Sequence, residues 1–398
     1  MRGDSLKITE VNVVSLKRYF LPSHWGRLLI RVKTDEGFYG YGESGEDSRW
    51  GVGEKLLNNW AKEIIIGSDP LEINKILREI WIHMKHFGRS AIMMGTYAAL
   101  DFALHDLKAR ILGVPVYELL GGKFRDRVRV YCDTGRPDLD NPESHLEVIS
   151  EVRREGFTAV KFDLDVHPRE REALGWEPFN DHARNDELKW MMRAVKIIRD
   201  FVGDDMELMV DLHGSYNVTS AVKIAKALEP FNLTWLEEPV PAENVDAMRE
   251  VKISTSTPIC SGENLYSRWE FRRLLEKQAV DIIEPDINKC GGLAEGKRIA
   301  ELADLWYIPV APHNTSTSVG TIAACHLCAS IPNFLSLEWH GGRPPKDHPK
   351  YADWNLIVWD GPVIKDGYIT LPKKPGLGFE LNEKACLEWN PETEILFR

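Results

Sequence analysis

Three short stretches decide the reading: Met209-Val210-Asp211, Trp235-Leu236-Glu237 and Cys260-Ser261-Gly262-Glu263. Each is an apolar, strand-like run that closes on an acid. The acids stand at positions 211, 237 and 263, so the interval is 26 residues twice over. That interval suits one strand followed by one helix, the repeating unit of a parallel α/β sheet. Equivalent points of adjacent parallel strands face the same place, so the three carboxylates are expected to converge at one end of the sheet. Acids packed together repel one another, and a hard cation with oxygen ligands relieves the repulsion. A single acid at a strand end is commonly a helix cap or a surface charge, but three in consecutive units are harder to dismiss. Asp211, Glu237 and Glu263 are therefore the candidate ligands of one divalent metal. Mg²⁺ suits the oxygen-only set, Mn²⁺ is the alternative, and zinc is disfavoured because no His or Cys joins it.

Outward from these stretches the same rhythm continues. Strand candidates fall at 128–132, 159–162, 207–211, 233–237, 258–263, 282–285, 309–312 and 335–338, most of them followed by a helical pattern. This is the signature of an α/β fold built as a modified (β/α)8 TIM-like barrel. Upstream, Ile8-Thr9-Glu10-Val11 and Leu28-Leu29-Ile30-Arg31-Val32 alternate, and Asp35-Glu36-Gly37 turns into Tyr39-Gly40-Tyr41. A three-stranded meander is expected there, then helices at 53–66, 70–84 and 95–112. Strands followed by helices indicate an α+β unit. We divide the chain into an α+β capping domain over residues 1–126, a barrel over 127–345, and a segment over 346–398 that returns to the cap.

Two loops stand out. Arg18-Tyr19-Phe20-Leu21-Pro22-Ser23-His24-Trp25 lies between the first two strands and is rich in large amphipathic side chains. It is either a plain surface loop or a flap, in which case Tyr19, His24 and Trp25 are candidate substrate contacts. Residues 166–186 form a long charged insertion after the second barrel strand, on the side where barrels place their active sites.

Composition narrows the function. The 398 residues carry a net charge of −11, which excludes non-specific nucleic-acid binding. No apolar stretch is long enough to span a membrane, and residues 1–10 do not read as a signal peptide. The six cysteines are thinly spread, as expected of reduced thiols in a cytoplasm. Cys325 and Cys328 form a C-x-x-C inside an apolar helical pattern, which favours core packing over a redox or zinc role.

Ionisable residues close the other strands as well. Lys161 ends the second. His213 lies two residues past Asp211, on the same side if the strand continues. Asp286 follows the sixth strand and His313 the seventh, so Asp286 can hold the His313 imidazole and raise its basicity. Glu338 ends the eighth. Taken together these residues read as an active site.

With those positions in hand, the chain resembles the enolase superfamily, in particular its mandelate racemase subgroup and the sugar-acid dehydratases within it. The resemblance runs through Tyr39-Gly40-Tyr41-Gly42-Glu43, Leu119-Leu120-Gly121-Gly122, Trp235-Leu236-Glu237-Glu238-Pro239, Asp286 to Gly292 (DINKCGG) and Ala311-Pro312-His313-Asn314. It implies Mg²⁺ on Asp211, Glu237 and Glu263, a His313–Asp286 dyad as general base, and Glu338 bonded to the substrate carboxylate. It also implies a homo-oligomer, commonly a dimer or octamer. Mandelate racemases carry Lys-x-Lys where this chain has Lys161-x-Asp163, so one base is missing; Asp211-x-His213 is instead similar to galactonate and gluconate dehydratases. The expectation is a sugar-acid substrate that loses its C2 proton to His313 and its 3-hydroxyl with help from His213, while Lys161 neutralises developing charge. A racemase or epimerase using the same metal and histidine pair is the alternative, and a catalytically silent barrel the more distant one.

Overall fold

The computed structural model describes residues 6–16, 27–44, 51–86, 88–89, 91–340 and 355–398. Tyr19, His24 and Trp25 lie outside the described residues. The alternating N-terminal runs form an antiparallel meander: β1 (Ile8–Leu16), β2 (Arg27–Thr34) and β3 (Tyr39–Ser44). One face packs on the helices Ile73–Met84 and Ala91–Leu112, closing a small core of its own. The glycines of Tyr39-Gly40-Tyr41-Gly42 permit this contact. A Cβ on Gly42 would fall 2.1 Å from the Ala99 carbonyl oxygen, so only glycine lets strand and helix approach this closely.

The second unit is a closed ring of parallel strands. β4 (Arg127–Asp133), β5 (Ala159–Asp163), β6 (Glu207–Asp211), β7 (Trp235–Glu237), β8 (Ile259–Ser261) and β9 (Ile282–Ile283) pair in order, and β10 (Leu337–Trp339) closes back on β4. The strand expected at 309–312 is reduced to single bridges of Val310 with Ile283 and Phe334. Prolines at 309 and 312 have no N–H to donate, which stops the ladder at both ends of this position. Pro285 likewise stops the sixth strand at Ile283.

Alternation along these strands sends every second side chain into the ring. Tyr131, Ala159, Met209, Trp235, Cys260, Ile282 and Ala311 fill its interior as one buried cluster, with the Tyr131 and Trp235 rings 5.4 Å apart and edge-on. Met209 and Trp235 stand two residues before Asp211 and Glu237, so the apolar plug forms the floor beneath those acids. The outer faces of the strands pack on helices that include Asn185–Val202, Val218–Leu228, Val245–Ile253, Ser267–Glu276, Gly292–Asp304 and Ser318–Ala329. Cys325 and Cys328 are buried on the last of these, and all six cysteines are buried with no disulfide between them.

The C-terminal segment bridges both units. Its strand Tyr368–Thr370 adds antiparallel to β4, while Arg31 donates to the Leu396 and Arg398 carbonyls and Asn390 to that of Ser15. The insertion is ordered by a buried polar cluster. Arg171 and Tyr216 each donate to Glu187 Oε1 at 2.7 Å, and Arg171 also takes up the Val166 and Asn180 carbonyls. A charged run thus folds as a braced loop containing the short helix Pro168–Ala173. No helix among the described residues is long and apolar enough to cross a membrane.

Candidate active site

Asp211 and Glu237 are direct register partners on β6 and β7, so their carboxylates emerge side by side above the plug. Glu263 arrives differently. The register partner of Glu237 is Cys260, and Glu263 lies beyond the end of β8. It reaches the rim because the chain kinks at Gly262, whose φ of +144° only glycine adopts freely. A Cβ there would also lie 2.8 Å from the Phe271 ring. The equal sequence spacing therefore reflects a strand end in two cases and a loop in the third.

Lys161 comes up inside the ring from β5, fully buried. Its Nζ lies 2.6 Å from Glu237 Oε1, 2.7 Å from Glu338 Oε1 and 3.3 Å from Asp211 Oδ2. Burial alone would lower the lysine pKa, but Glu237 and Glu338 hold it well above the ordinary value. Trp235 Nε1 donates to the other Glu237 oxygen at 2.9 Å, fixing that carboxylate from below.

His313 stands on the opposite side, 6% exposed, between Asp286 Oδ2 on Nδ1 (2.8 Å) and Glu263 Oε2 on Nε2 (2.7 Å). Both nitrogens face carboxylates, the arrangement of a doubly protonated ring. Burial pulls its pKa down, yet Glu263 and Glu338 outweigh this and push it well up. Its loop is gripped by the capping sheet: Glu43 on β3 accepts from the Thr317 amide and hydroxyl and from the Gly320 amide, and Arg27 on β2 donates to the Thr315 carbonyl.

His213 is placed beside Asp211 as expected, but not by strand alternation. β6 ends at Asp211, and His213 takes a left-handed φ of +45° while its amide donates to Asp211 Oδ1 at 2.8 Å. Its Nε2 lies 3.5 Å from Asp211 Oδ2 and its Nδ1 2.9 Å from Asp165 Oδ1. Asp211, against partial burial, and then Asp165 push its pKa up to about 12.

Four functional candidates escaped the sequence reading. Glu284 closes β9 as Ile282-Ile283-Glu284, the same apolar-apolar-acid pattern that marked Asp211 and Glu237, and is fully buried. Glu238 follows Glu237 with a positive φ, and burial together with Glu263 raises it to about 7. His340 stands two residues past Glu338, with Nε2 3.2 Å from Glu338 Oε1. Asp165 gives no periodic signal; it is one acid in a charged stretch.

The donor set can be tested against a divalent cation. Asp211, Glu237, Glu238, Glu263, Glu284 and Glu338 are all buried around this rim, while Lys161, Lys289 and His313 are the buried cations that oppose them. Burial and the Asp211 and Glu284 charges hold Glu237 well above the usual carboxylate range, and burial does the same to Glu284. Both Glu284 oxygens are buried without a hydrogen-bond partner. A cluster of hard oxygens with surplus negative charge suits a hard divalent ion. Two groups have donor atoms within 4.8 Å of one another among the described residues: Asp163, Asp211 and His213, and His313, Glu338 and His340. Asp211, Glu237 and Glu263 do not form such a group: Lys161 contacts the first two, while His313 holds the third.

The geometry matches known proteins over nearly the full chain. The mandelate racemase / muconate lactonizing enzyme N-terminal domain matches residues 25–121, and the enolase C-terminal domain-like family matches residues 146–385. The chain belongs to the mandelate racemase/muconate lactonizing enzyme family. A D-xylonate dehydratase of Haloferax volcanii is 37% identical over 98% of this chain and 92% of its own length. A D-gluconate dehydratase of Thermoproteus tenax is 31% identical over 97% of this chain and 74% of its own. Among solved structures, a mandelate racemase/muconate lactonizing enzyme-like protein from Rubrobacter xylanophilus superposes with a TM-score of 0.88 at 38% identity, covering 97% of this chain and 98% of that one. Members of the enolase superfamily bind a divalent metal, as the acidic rim requires.

Proposed function

We propose that this protein is an aldonic-acid dehydratase, a hydro-lyase that removes water across C2 and C3 of a sugar acid. One observation carries the reading: two histidine–aspartate pairs, His313–Asp286 and His213–Asp165, flank a single cluster of buried carboxylates from two sides. Asp211, Glu237 and Glu263 would hold the metal, taken as Mg²⁺ with Mn²⁺ the alternative. When bound it supplies charge stabilisation for the substrate carboxylate as its α-proton becomes acidic.

The residues of the chain do the rest. His313 takes the C2 proton, and the electron pair left on C2 delocalises into the substrate carboxylate as an enediolate. For this Nε2 must be released from Glu263, one of the acids offered to the metal, and give up its proton, so that the ring enters the step neutral with Nδ1–H still held by Asp286. The Lys161 ammonium stabilises the charge that develops. The pair then forms the C2=C3 bond as the C3–O bond breaks, and a proton from His213 turns the departing hydroxide into water. The enol product tautomerises to a 2-keto-3-deoxy acid. Glu338, set beside Lys161 and His313, would orient the substrate carboxylate.

Assembly as a homo-oligomer, a dimer or an octamer, belongs to the same reading, supported by apolar surface such as Leu305 (71% exposed) and Tyr307 (94% exposed). A cytoplasmic location is supported by six buried cysteines that form no disulfide. The test is incubation of the protein and Mg²⁺ with five- and six-carbon aldonic acids, including D-xylonate and D-gluconate. The expected result is a 2-keto-3-deoxy acid; C2 exchange in D₂O with no keto acid formed would instead favour a racemase or epimerase.

A further inference from the structure

Asp165 belongs to no barrel strand; it lies in the loop that follows β5 and leads into the insertion. The loop is nonetheless firmly placed. On one side the Leu164 amide donates to the Asp211 carbonyl at 2.9 Å; on the other, Arg136 Nη1 donates to the Asp165 carbonyl at 3.0 Å and the same guanidinium pairs with Glu170 of the insertion. The Asp165 side chain is 18% exposed and the His213 side chain 45%. A mostly sheltered carboxylate on a fixed loop thus meets Nδ1 of a ring that stands open to solvent.

The His213 backbone is also constrained. A left-handed φ at a non-glycine residue is costly and persists only where its surroundings enforce it. The backbone sets where the ring starts and Asp165 sets how it turns. With Nδ1 engaged by Asp165, Nε2 faces Asp211 and the carboxylate cluster. A histidine free to rotate at such exposure would spend much of its time with the wrong nitrogen, or neither, toward the substrate.

We infer that Asp165 is a positioning residue for dehydration, holding His213 with Nε2 turned toward the reacting centre so that it protonates the departing 3-hydroxyl. The inference rests on the dehydratase reading and extends it: the loop that leads into the insertion orients one of the two proton-transfer groups. Asp165 touches no reacting atom. Its loss therefore affects C3–O cleavage and leaves C2 proton removal, on the His313 side, in place.

The experiment compares wild type with Asp165→Ala and Asp165→Glu, using Mg²⁺ and an aldonic acid that wild type dehydrates, in D₂O. Dehydration is followed as 2-keto-3-deoxy acid and C2 exchange by NMR of the recovered substrate. Asp165→Ala is expected to dehydrate about 100-fold more slowly, with C2 deuteration of recovered substrate retained, and Asp165→Glu to restore part of the rate. Retained exchange also shows that the variant is folded with its metal site intact. Dehydration at the wild-type rate in Asp165→Ala, or exchange lost together with dehydration, overturns the inference. A wild type that gives no keto acid from any aldonate sinks the dehydratase reading itself.

Discussion

The two sides of the active site solve the same problem, holding an imidazole in one orientation, by opposite means. His313 is buried and boxed in by Asp286, Glu263 and Glu338 at the barrel rim, with the capping sheet clamping its loop. His213 stands open to solvent, set by a left-handed backbone and one carboxylate from the loop after β5. A buried base is protected from water and suits abstraction of a carbon-bound proton. An open acid suits a step that releases water and then needs a proton back from solvent. A third histidine supplies the control. His326, buried on the helix Ser318–Ala329 with no carboxylate beside it, accepts the Tyr117 amide hydrogen and meets the Leu377 carbonyl, and burial lowers its pKa to about 4. Burial alone pushes a histidine one way, and burial beside acids pushes it the other.

Breaking the buried side should cost most. His313→Asn is expected to lower kcat by about 10⁴-fold while Mg²⁺ binding, followed by calorimetry, stays intact. Near-wild-type turnover would remove His313 from its role. Lys161→Met tests what the buried cation does for the acids around it: it leaves Glu237 and Glu338 uncompensated, and a loss of about 3–5 kcal/mol in unfolding free energy without metal is expected. Saturating Mg²⁺ should recover part of that loss, since a ligand of the folded state alone stabilises by about 2.7 kcal/mol at 100 times its Kd. An unchanged denaturation midpoint in this variant would contradict the charge accounting.

His326 gives a smaller effect with a definite sign. Its folded pKa lies below the ordinary 6.5, so the ring stays neutral in the fold while the unfolded chain takes up protons. Its contribution to stability is complete above pH 6.5 and is lost as pH falls toward 4, reaching about 3 kcal/mol. His326→Gln should flatten the melting temperature over that window relative to wild type; parallel curves would show that His326 does not titrate as its surroundings dictate. The exposed side should cost least in turnover, with His213→Asn lowering kcat by about 10²-fold.

Much of this site was legible because Asp211, Glu237 and Glu284 share one device, an apolar strand end followed by an acid, and the parallel barrel brings such ends together. The reading stopped at Glu237 and Glu263 and passed over Glu284, although the same pattern marks it. Glu263 was placed at the rim for a reason that fails: no strand reaches it, and the kink at Gly262 carries it there. His213 was found through an alternation that ends two residues too early. The seventh strand was overread because Val310 and its neighbours are apolar, whereas Pro309 and Pro312 lack the donors a ladder needs. Asp165 and the Arg171–Glu187–Tyr216 brace leave no periodic trace, since their meaning comes from partners distant in the chain.

The division of labour between the two histidines is tested most directly by C2 hydrogen exchange in D₂O, measured on His313→Asn and His213→Asn with Mg²⁺ and a substrate aldonate. The account predicts that His313→Asn neither exchanges nor dehydrates, while His213→Asn exchanges the C2 proton and forms little keto acid. Exchange persisting in His313→Asn, or full dehydration by His213→Asn, would contradict it.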